Sequence, residues 1–338
     1  MPDNFKPIIA LTMGDAAGVG PEIIVKTLHD KKIYEMCRPL VIGDLKVLVD
    51  ILKVAKINLV FNPLKKVSEA RFQYGRVDVL DLDNIRLEEL IMGRPQAMAG
   101  KASVEYLEKA TELVLDGSVH AITTAPLNKE AMNKAGYAYP GHTEILAKLT
   151  QTKDFAMMLV AKNLRVIHVT THVSMKSAIS LIKKNKVLGT IRLAYKAMRG
   201  LGIKKPKIAV AGLNPHAGEA GIFGQEEINE ITPAIHQANK EGIQAQGPFP
   251  PDTVFLRAKK GEFDIVVAMY HDQGHIPIKL EGFESGVNVT IGLPIIRTSV
   301  DHGTAYRRAG LRLGTADPTS LIEAIRLAVI MAKEKYKE

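Results

Sequence analysis

Two kinds of segment alternate along the whole length of the chain, and this alternation limits the folds that it can adopt. Short apolar runs rich in β-branched residues alternate with segments of helical periodicity. This pattern is typical of a parallel sheet whose strands are joined by crossover helices, so we expect an α/β protein. The predicted strands are residues 8–12, 39–42, 77–80, 121–124, 156–160, 166–170, 208–211 and 265–269, and the predicted helices are residues 21–29, 45–54, 101–115, 187–199, 226–239 and 320–335.

Several helix ends have a physical signal in the sequence. Pro21 suits a first helical turn, where its missing N–H costs nothing, and Asp44 can cap the helix that follows it. Glycines supply helix stops at Gly117, Gly200 and Gly242.

Length and composition indicate a globular protein with more than one domain. The chain has 338 residues, of which 46% are hydrophobic and 24% charged, enough to bury a sizeable core in two domains. Since no apolar run approaches the roughly 20 residues of a spanning helix, and the first residues do not resemble a signal peptide, we expect a cytoplasmic location. Cys37 is the single cysteine, so a metal site would have to use the histidines and carboxylates.

The net charge of +9 raises the question of a nucleic-acid partner. Lysine and arginine are scattered through helical segments with glutamate interleaved, and tryptophan is absent. A nucleic-acid interface would concentrate its cations, so we expect neither nucleic acid nor membrane as a partner. The charge fits anionic small-molecule substrates, or solubility alone.

Three histidines stand in equivalent positions. His172, His216 and His271 each follow a β-rich run and lie in a polar context rich in threonine or glycine. One such histidine is more often an ordinary core or surface residue. Three neutral imidazoles converging from strand ends would make a site for a borderline divalent metal with positions left for substrate oxygens.

Two residues near this trio are ambiguous. His275 follows His271 by four residues, but Gly274 and Pro277 favour a loop there, so we leave His275 out of the metal shell. Asp252 stands at a predicted helix start, where it is either a helix cap, a metal ligand or a base.

A second group of residues is rich in cations and neutral donors. Phosphate recognition uses charge-assisted donors from lysine, arginine and histidine with neutral donors from asparagine and threonine. A solvated surface charge is the ordinary alternative for Lys279 or Arg297 alone, although Arg297 follows the apolar run 291–296. The candidates are His142, Thr143, Lys279, Asn288 and Arg297.

Two glycine-containing segments are candidates for cofactor contact. Residues 14–22 (GDAAGVGPE) follow a strand and open a helix, but they match neither the dinucleotide fingerprint nor a P-loop. A tight structural turn is an equal alternative. Residues 301–305 (DHGTA) form a short polar turn whose small residues would let a flat cofactor lie against backbone.

Together these segments resemble the 4-hydroxythreonine-4-phosphate dehydrogenase family, which shares the isocitrate and isopropylmalate dehydrogenase fold. The resemblance covers nearly the whole chain and is carried by residues 14–22, 212–219, 268–274 and 288–305. It implies two α/β/α subdomains with a cleft between them. We expect residues 1–125 and 285–338 in the first, with the cofactor loops, and residues 126–284 in the second, with the metal site and a dimer interface.

The resemblance also implies roles for individual residues. The metal ligands would be His172, His216 and His271, holding Zn, Mg, Mn or Co, in a site shared between the two subunits of an obligate homodimer. The substrate contacts would be the five candidates for phosphate recognition. The cofactor, NAD, would lie against Gly14, Asp15, Gly18, Gly20, Asp301, His302, Gly303 and Thr304.

Within the family, the branch that acts on 4-phospho-D-threonate and 4-phospho-D-erythronate is the closer match, on residues 125–131, 250–256 and 274–277. The implied reaction is oxidation followed by loss of carbon dioxide, giving dihydroxyacetone phosphate. The alternative substrate is 4-hydroxythreonine 4-phosphate, in pyridoxine biosynthesis. A non-catalytic sensor of phosphorylated ligands is a further alternative from another functional class.

Two points of the resemblance stay open. The general base is unassigned, with Asp252 and Asp272 as candidates and Lys279 as a further catalytic candidate. Where relatives carry an acidic residue after the His-Gly-Thr-Ala turn, this chain has Tyr306, Arg307 and Arg308. Because arginine can accept the 2′-phosphate of NADP, the sequence leaves the choice between NAD and NADP open.

Overall fold

The computed structural model describes residues 5–337, and these divide into two compact units. The first unit combines the chain up to Lys153 with the segment from Leu293 onward, and the second spans Asp154–Gly292. The boundaries therefore lie later than the predicted breaks after residues 125 and 284. Helices after residue 125 pack on the long helix of the first unit, and the strand after residue 285 pairs within the second.

The first unit is built around a parallel sheet. Its strands lie side by side in the order β3-β4-β2-β1-β5-β12, and each of these neighbouring pairs is parallel. The elements are β1 (Ile8–Thr12), α1 (Gly20–Leu28), α2 (Lys31–Met36), β2 (Arg38–Gly43), α3 (Leu45–Ala55), β3 (Val60–Leu64), β4 (Arg76–Asp81), α4 (Ala97–Leu115), β5 (Ala121–Thr124), α5 (Lys129–Lys134), α6 (His142–Leu149), β12 (Arg297–Val300), α12 (Tyr306–Leu311) and α13 (Thr319–Lys335).

The second unit has a mixed sheet in the order β11-β6-β7-β10-β8-β9. Strands β11 and β7 run antiparallel to β6, while β7, β10, β8 and β9 are parallel to one another. The elements are β6 (Ala156–Ala161), β7 (Leu164–His168), α7 (Met175–Leu181), α8 (Lys184–Gly200), β8 (Ile208–Ala211), a turn at Pro215–Gly221, a π-helical turn at Glu227–Ile231, α9 (Thr232–Lys240), β9 (Ala245–Phe249), α10 (Val254–Lys259), β10 (Ile265–Ala268), α11 (His271–Gly282) and β11 (Val287–Ile291).

The predicted α/β class is confirmed, and so are most of the local signals. Pro21 lies in the first turn of α1. The carboxylate of Asp44 accepts hydrogen bonds from the amides of Lys46 and Val47, which caps α3. Gly117 and Gly242 take left-handed backbone conformations just after α4 and α9. Gly200 is the last residue of α8, and Gly202 rather than Gly200 takes the left-handed conformation that follows this helix.

The central strands are buried because helices cover both faces of a parallel sheet. β5 is wholly buried, and β8 and β10 likewise consist of buried residues. Burying each leucine or isoleucine side chain contributes roughly 1.5–3 kcal/mol, so such strands anchor each unit. Within residues 5–337, none of the helices is long and apolar enough to cross a membrane.

One helix differs from the prediction. Residues 271–282 form α11, although Gly274 and Pro277 lie inside it, where a loop was expected. The helix packs along β7 and β6, and Gly274 lies at the closest approach, where a Cβ atom would overlap the ring of His168. Tertiary packing therefore outweighs the low helix propensity of these two residues.

Candidate active site

Two of the three predicted metal ligands lie together at one edge of the second unit. β7 and β10 are adjacent and parallel, with His168 paired to Ala268, so the chain leaves both strands at the same edge. His172 follows β7, and His271 begins α11 directly after β10. Their ring centroids lie 5.7 Å apart. With metal–nitrogen bonds of about 2.1 Å, two imidazoles on one cation place their centroids about 5 to 6 Å apart, so this pair fits a shared cation.

A pocket of about 360 Å³ adjoins this pair. Its walls come from the segment after β7, the start of α7 and the start of α11. The lining residues are Thr171, His172, Val173, Ser174, Met175, Ala178, Tyr270, His271 and Asp272.

The ring of His271 is oriented by its neighbour in sequence. Nδ1 of His271 lies 2.6 Å from Oδ1 of Asp272. When Nδ1–H donates to this carboxylate, Nε2 keeps its lone pair and is the nitrogen available to a cation. This contact gives Asp272 the role of orienting an imidazole. From the sequence, Asp272 was a candidate for the general base.

His216 lies on an unusual turn in the same unit. Residues His216 to Ala220 all have positive φ, between 43° and 83°, so they form a short left-handed turn. His216 itself is exposed, with its ring 6.2 Å from that of Phe223. In the chain from residue 5 to residue 337, no group of three or more His, Cys, Asp or Glu side chains is arranged to hold a metal ion. The structure therefore brings His172 and His271 together, but not all three histidines.

Buried polar groups hold the segment that precedes this turn. Glu227 accepts hydrogen bonds from the amides of Leu213 and Asn214, each at 2.7 Å, and from the side chain of Asn214 at 2.8 Å. Gln273 donates to the carbonyl of Gly212 at 2.8 Å and accepts from the amide of Met269 at 2.6 Å.

Gln273 thus connects the start of α11 with the start of the His216 segment. No sequence motif indicated a role for Glu227 or for Gln273. Their only signal was their place beside the histidine motifs.

The predicted substrate residues of the first unit form a second cluster. Arg297 begins β12, is 2% exposed, and donates from Nη2 to Oγ1 of Thr124 at 2.8 Å. Burial lowers the pKa of Arg297 to about 9, and the nearby carboxylate of Glu144 opposes this shift, so the guanidinium is a cation at neutral pH. His142 and Thr143 begin α6.

The imidazole of His142 is neutral at the same pH. Burial lowers its pKa well below the ordinary value, and the charge of Arg297 lowers it further. A neutral imidazole beside a buried guanidinium can donate a hydrogen bond to an anion without adding a second buried charge. Lys279 and Asn288, the other predicted contacts, belong to the second unit, on α11 and β11.

The two predicted cofactor segments meet within the first unit. The amide of Val19 donates to the carbonyl of Thr304 at 3.0 Å. A Cβ atom at Gly18 would lie 2.9 Å from that same residue, and one at Gly14 or Gly20 would overlap the backbone oxygen of Pro126 or Met13. These glycines therefore allow protein segments to approach one another closely. This agrees with the alternative interpretation of residues 14–22 as a tight structural turn. His302 and Gly303 are exposed.

The departure at Tyr306 has a structural explanation. Its hydroxyl donates to Oδ2 of Asp15 at 2.6 Å, and the amide of Ala17 donates to Oδ1 at 2.8 Å. Burial raises the pKa of Asp15, while both hydrogen bonds oppose the rise. Tyr306 thus fastens α12 to the glycine-containing segment, and Arg307 is exposed beside it.

Asp252 does not cap a helix, which was one of the roles that its position suggested. It is exposed in the turn before α10, which begins at Val254. Thr253 occupies the N-cap position there, but its side chain does not cap the helix. Its hydroxyl instead donates to the carbonyl oxygen of Pro250 at 3.3 Å.

Sequence comparison decides the family. Residues 35–328 match the profile described as "Pyridoxal phosphate biosynthetic protein PdxA". The chain belongs to the PdxA family. D-threonate 4-phosphate dehydrogenase of Cupriavidus necator is 49% identical over 333 residues, covering 98% of this chain and 99% of that protein. A relative from Oceanobacillus iheyensis, which has the same name provisionally, is 54% identical over 332 residues, with 98% and 99% covered.

A solved structure of a PdxA-family protein supports the same conclusion. The crystal structure of 4-hydroxythreonine-4-phosphate dehydrogenase from Klebsiella pneumoniae is 45% identical, has a TM-score of 0.89, and covers 98% of this chain and 99% of its own. The predicted family is confirmed. Because these relatives are dehydrogenases, the chain is an oxidoreductase, as the sequence indicated.

Proposed function

We propose that this protein catalyses the NAD-dependent, divalent-metal-dependent oxidation and decarboxylation of 4-phospho-D-threonate or 4-phospho-D-erythronate. The hydroxyl on the third carbon becomes a ketone as its hydride passes to NAD⁺ and its proton to a base. The resulting β-keto acid then loses carbon dioxide, takes up a proton on the second carbon and becomes dihydroxyacetone phosphate. The named relatives of this branch, matched over their full length, support this choice of substrate.

The observation that carries the proposal is the pair formed by His172 and His271. Their ring centroids lie 5.7 Å apart, beside a pocket of about 360 Å³. A bound divalent cation supplies Lewis-acid chemistry, which lowers the pKa of a substrate hydroxyl and stabilises an enolate. Asp272 orients His271 through Nδ1, so Nε2 would be the nitrogen that holds the cation. We keep Asp252 and Lys279 as the candidates for proton transfer.

His216 completes the metal site from a second copy of the chain. Apolar residues on the surface of the second unit support this arrangement, since exposed apolar patches mark interfaces. Ile222 and Phe223, near His216, are 75% and 50% exposed. Leu280 on α11 and Phe283 just after it are 84% and 74% exposed. We therefore propose a homodimer in which His216 of one protomer reaches the His172–His271 pair of the other.

The anchors for the substrate phosphate come from the five cationic and neutral donors identified above. Buried Arg297 supplies a fixed charge, and neutral His142 supplies a donor. Thr143, Lys279 and Asn288 keep their predicted role as substrate contacts in this proposal. Remote binding energy of this kind orients the reacting carbon. We place NAD against the exposed residues His302 and Gly303. The remaining predicted cofactor residues maintain the backbone conformation of that surface.

The test is a comparison of substrates on the purified protein. We expect NAD reduction with phospho-D-threonate and phospho-D-erythronate, loss of activity with a chelator and recovery with Zn²⁺, Mn²⁺ or Co²⁺. NADP is assayed in parallel. A higher kcat/KM with 4-hydroxythreonine 4-phosphate would instead support the second candidate, which the name of the Klebsiella pneumoniae protein favours.

His216→Ala tests the metal ligand directly. Removing one of three imidazoles is expected to lower kcat/KM by about 100-fold or more. His236→Ala is the matched control, because His236 is an exposed histidine on α9. Unchanged turnover in His216→Ala would exclude this histidine from the metal site.

A further inference from the structure

The ring of His275 lies flat against the ring of His271. Their centroids are 3.6 Å apart and their planes differ by 11°. Both residues are on α11, four positions apart, so they project from the same face of the helix. His275, which was expected to lie outside the metal shell, therefore contacts the proposed metal ligand His271 across the face of its ring.

His275 is itself held in place at its edge and on another side. Its Nδ1 lies 2.9 Å from the backbone carbonyl oxygen of His271, and with a proton on Nδ1 it donates to that oxygen. The ring of His168 lies 4.7 Å from that of His275, at 44°. Because a hydrogen bond fixes the edge and a second ring supports the stack, His275 has little freedom to rotate.

His168 supports this stack of rings from below and is itself held rigidly. It is 2% exposed, and its Nδ1 lies 3.4 Å from the carbonyl oxygen of Met157 on β6. Gly274 leaves no space between α11 and this ring, since a Cβ atom at residue 274 would overlap Nε2 of His168. The supporting ring is thus clamped between strand and helix.

We propose that His275 is a positioning residue for the metal ligand His271, with His168 as its buried support. Asp272 fixes the edge of the His271 ring, and His275 fixes its face. Together they hold Nε2 in one direction before a cation arrives, so less rotational freedom is lost when the metal binds. This inference rests on the proposed function, which makes His271 a ligand.

The test measures metal binding rather than turnover. Zn²⁺ or Co²⁺ is titrated into metal-free protein by calorimetry, with neither substrate nor NAD present. His275→Leu, which removes the flat ring, should weaken metal affinity by about 10- to 100-fold, the range found for residues that orient ligands. His275→Phe keeps a flat ring without nitrogen and should stay within about threefold of the unmodified protein.

Two further measurements separate positioning from other roles. His236→Leu, on α9, is the matched control and should leave metal affinity unchanged. With His275→Leu, kcat should recover at saturating metal, because only the affinity has changed. The unfolding midpoint in chelator checks that each variant is folded, and His275→Gln replaces His275→Leu if the latter does not fold.

The outcomes are distinguishable. Metal affinity unchanged in His275→Leu would overturn the inference. An equal loss in His275→Phe and His275→Leu would also overturn it, since His275 would then act through a ring nitrogen. If the unmodified protein binds neither Zn²⁺ nor Co²⁺, the proposed function itself fails.

Discussion

At the scale of single residues, burial decides which histidines carry charge. His168 is almost completely enclosed, and burial lowers its pKa from 6.5 to about 3, assisted by the neighbouring ring of His275. The ring can therefore pack neutral against α11 throughout the physiological range. Burial and the charge of Arg297 likewise lower the pKa of His142, although its side chain is only half-buried.

Neutral burial of His168 predicts a pH dependence of stability. Below about pH 6.5 the unfolded chain takes up a proton at this residue and the folded chain does not, so the free energy of unfolding falls by up to about 1.4 kcal/mol per pH unit. This loss continues towards the folded pKa of about 3. In His168→Leu the decrease between about pH 6.5 and about pH 5 should be smaller by about 2 kcal/mol.

Urea denaturation across this pH range measures the effect. The comparison uses the slope against pH rather than absolute stability, so a general loss of packing in His168→Leu does not disturb it. His142 titrates in both proteins and contributes equally to both slopes. Identical slopes would show that His168 is protonated in the folded protein.

At the scale of elements, the left-handed turn at His216–Ala220 is the most strained part of the described chain that the proposed site uses. A non-glycine residue in this conformation costs roughly 1–2 kcal/mol, and four of the five residues are not glycine. Hydrogen bonds to a charged group contribute about 1.5–3 kcal/mol each, and Glu227 accepts three next to the turn. Buried Glu227 therefore offsets the strain of the segment that presents His216.

Glu227→Gln should destabilise this segment. The amide loses charge and one acceptor, so we expect a loss of about 2–4 kcal/mol in the free energy of unfolding. Hydrogen exchange of the amides of Leu213 and Asn214 should become faster. Glu226→Gln is the matched control, because Glu226 is half-buried and accepts from the side chain of Asn214 and from the amides of Gln225 and Glu226, which lie outside the segment held by Glu227. If the amides of Leu213 and Asn214 exchanged at the same rate in both variants, this role of Glu227 would be contradicted.

At the scale of the whole molecule, the proposed metal site requires two chains. In residues 5–337 no three candidate ligands converge, while the second unit exposes large apolar side chains near His216 and on α11. Both observations have the same explanation if a second copy covers that surface.

Leu280→Glu tests the assembly. A charge on this 84% exposed leucine should prevent association, because burying an unpaired carboxylate in an apolar interface is costly. Sedimentation should show a dimer for the unmodified protein and a monomer with weakened metal binding for the variant. Leu115→Glu, at the end of α4 in the first unit, is the control and should remain dimeric. A dimeric Leu280→Glu with full metal affinity would place the interface elsewhere.

Much of the fold could be predicted from local patterns, because the responsible interactions are local. Strands such as β1 and β5 and the capped start of α3 follow from apolar runs and from the side chain of Asp44. The π-helical turn at the start of the predicted helix 226–239 was not anticipated. The short helices α6 and α7 and the strand β11 also went unpredicted, since short segments carry weak periodicity.

The α/β class, the family and the histidines that follow strands could all be predicted from the amino-acid sequence. The support of those histidines depends on tertiary contacts. Helix α11 continues through Gly274 and Pro277 because packing against His168 outweighs propensity, and this places His275 on His271. Glu227 and Tyr306 acquired their roles in the same way, through contacts with residues distant in sequence, which no local pattern records.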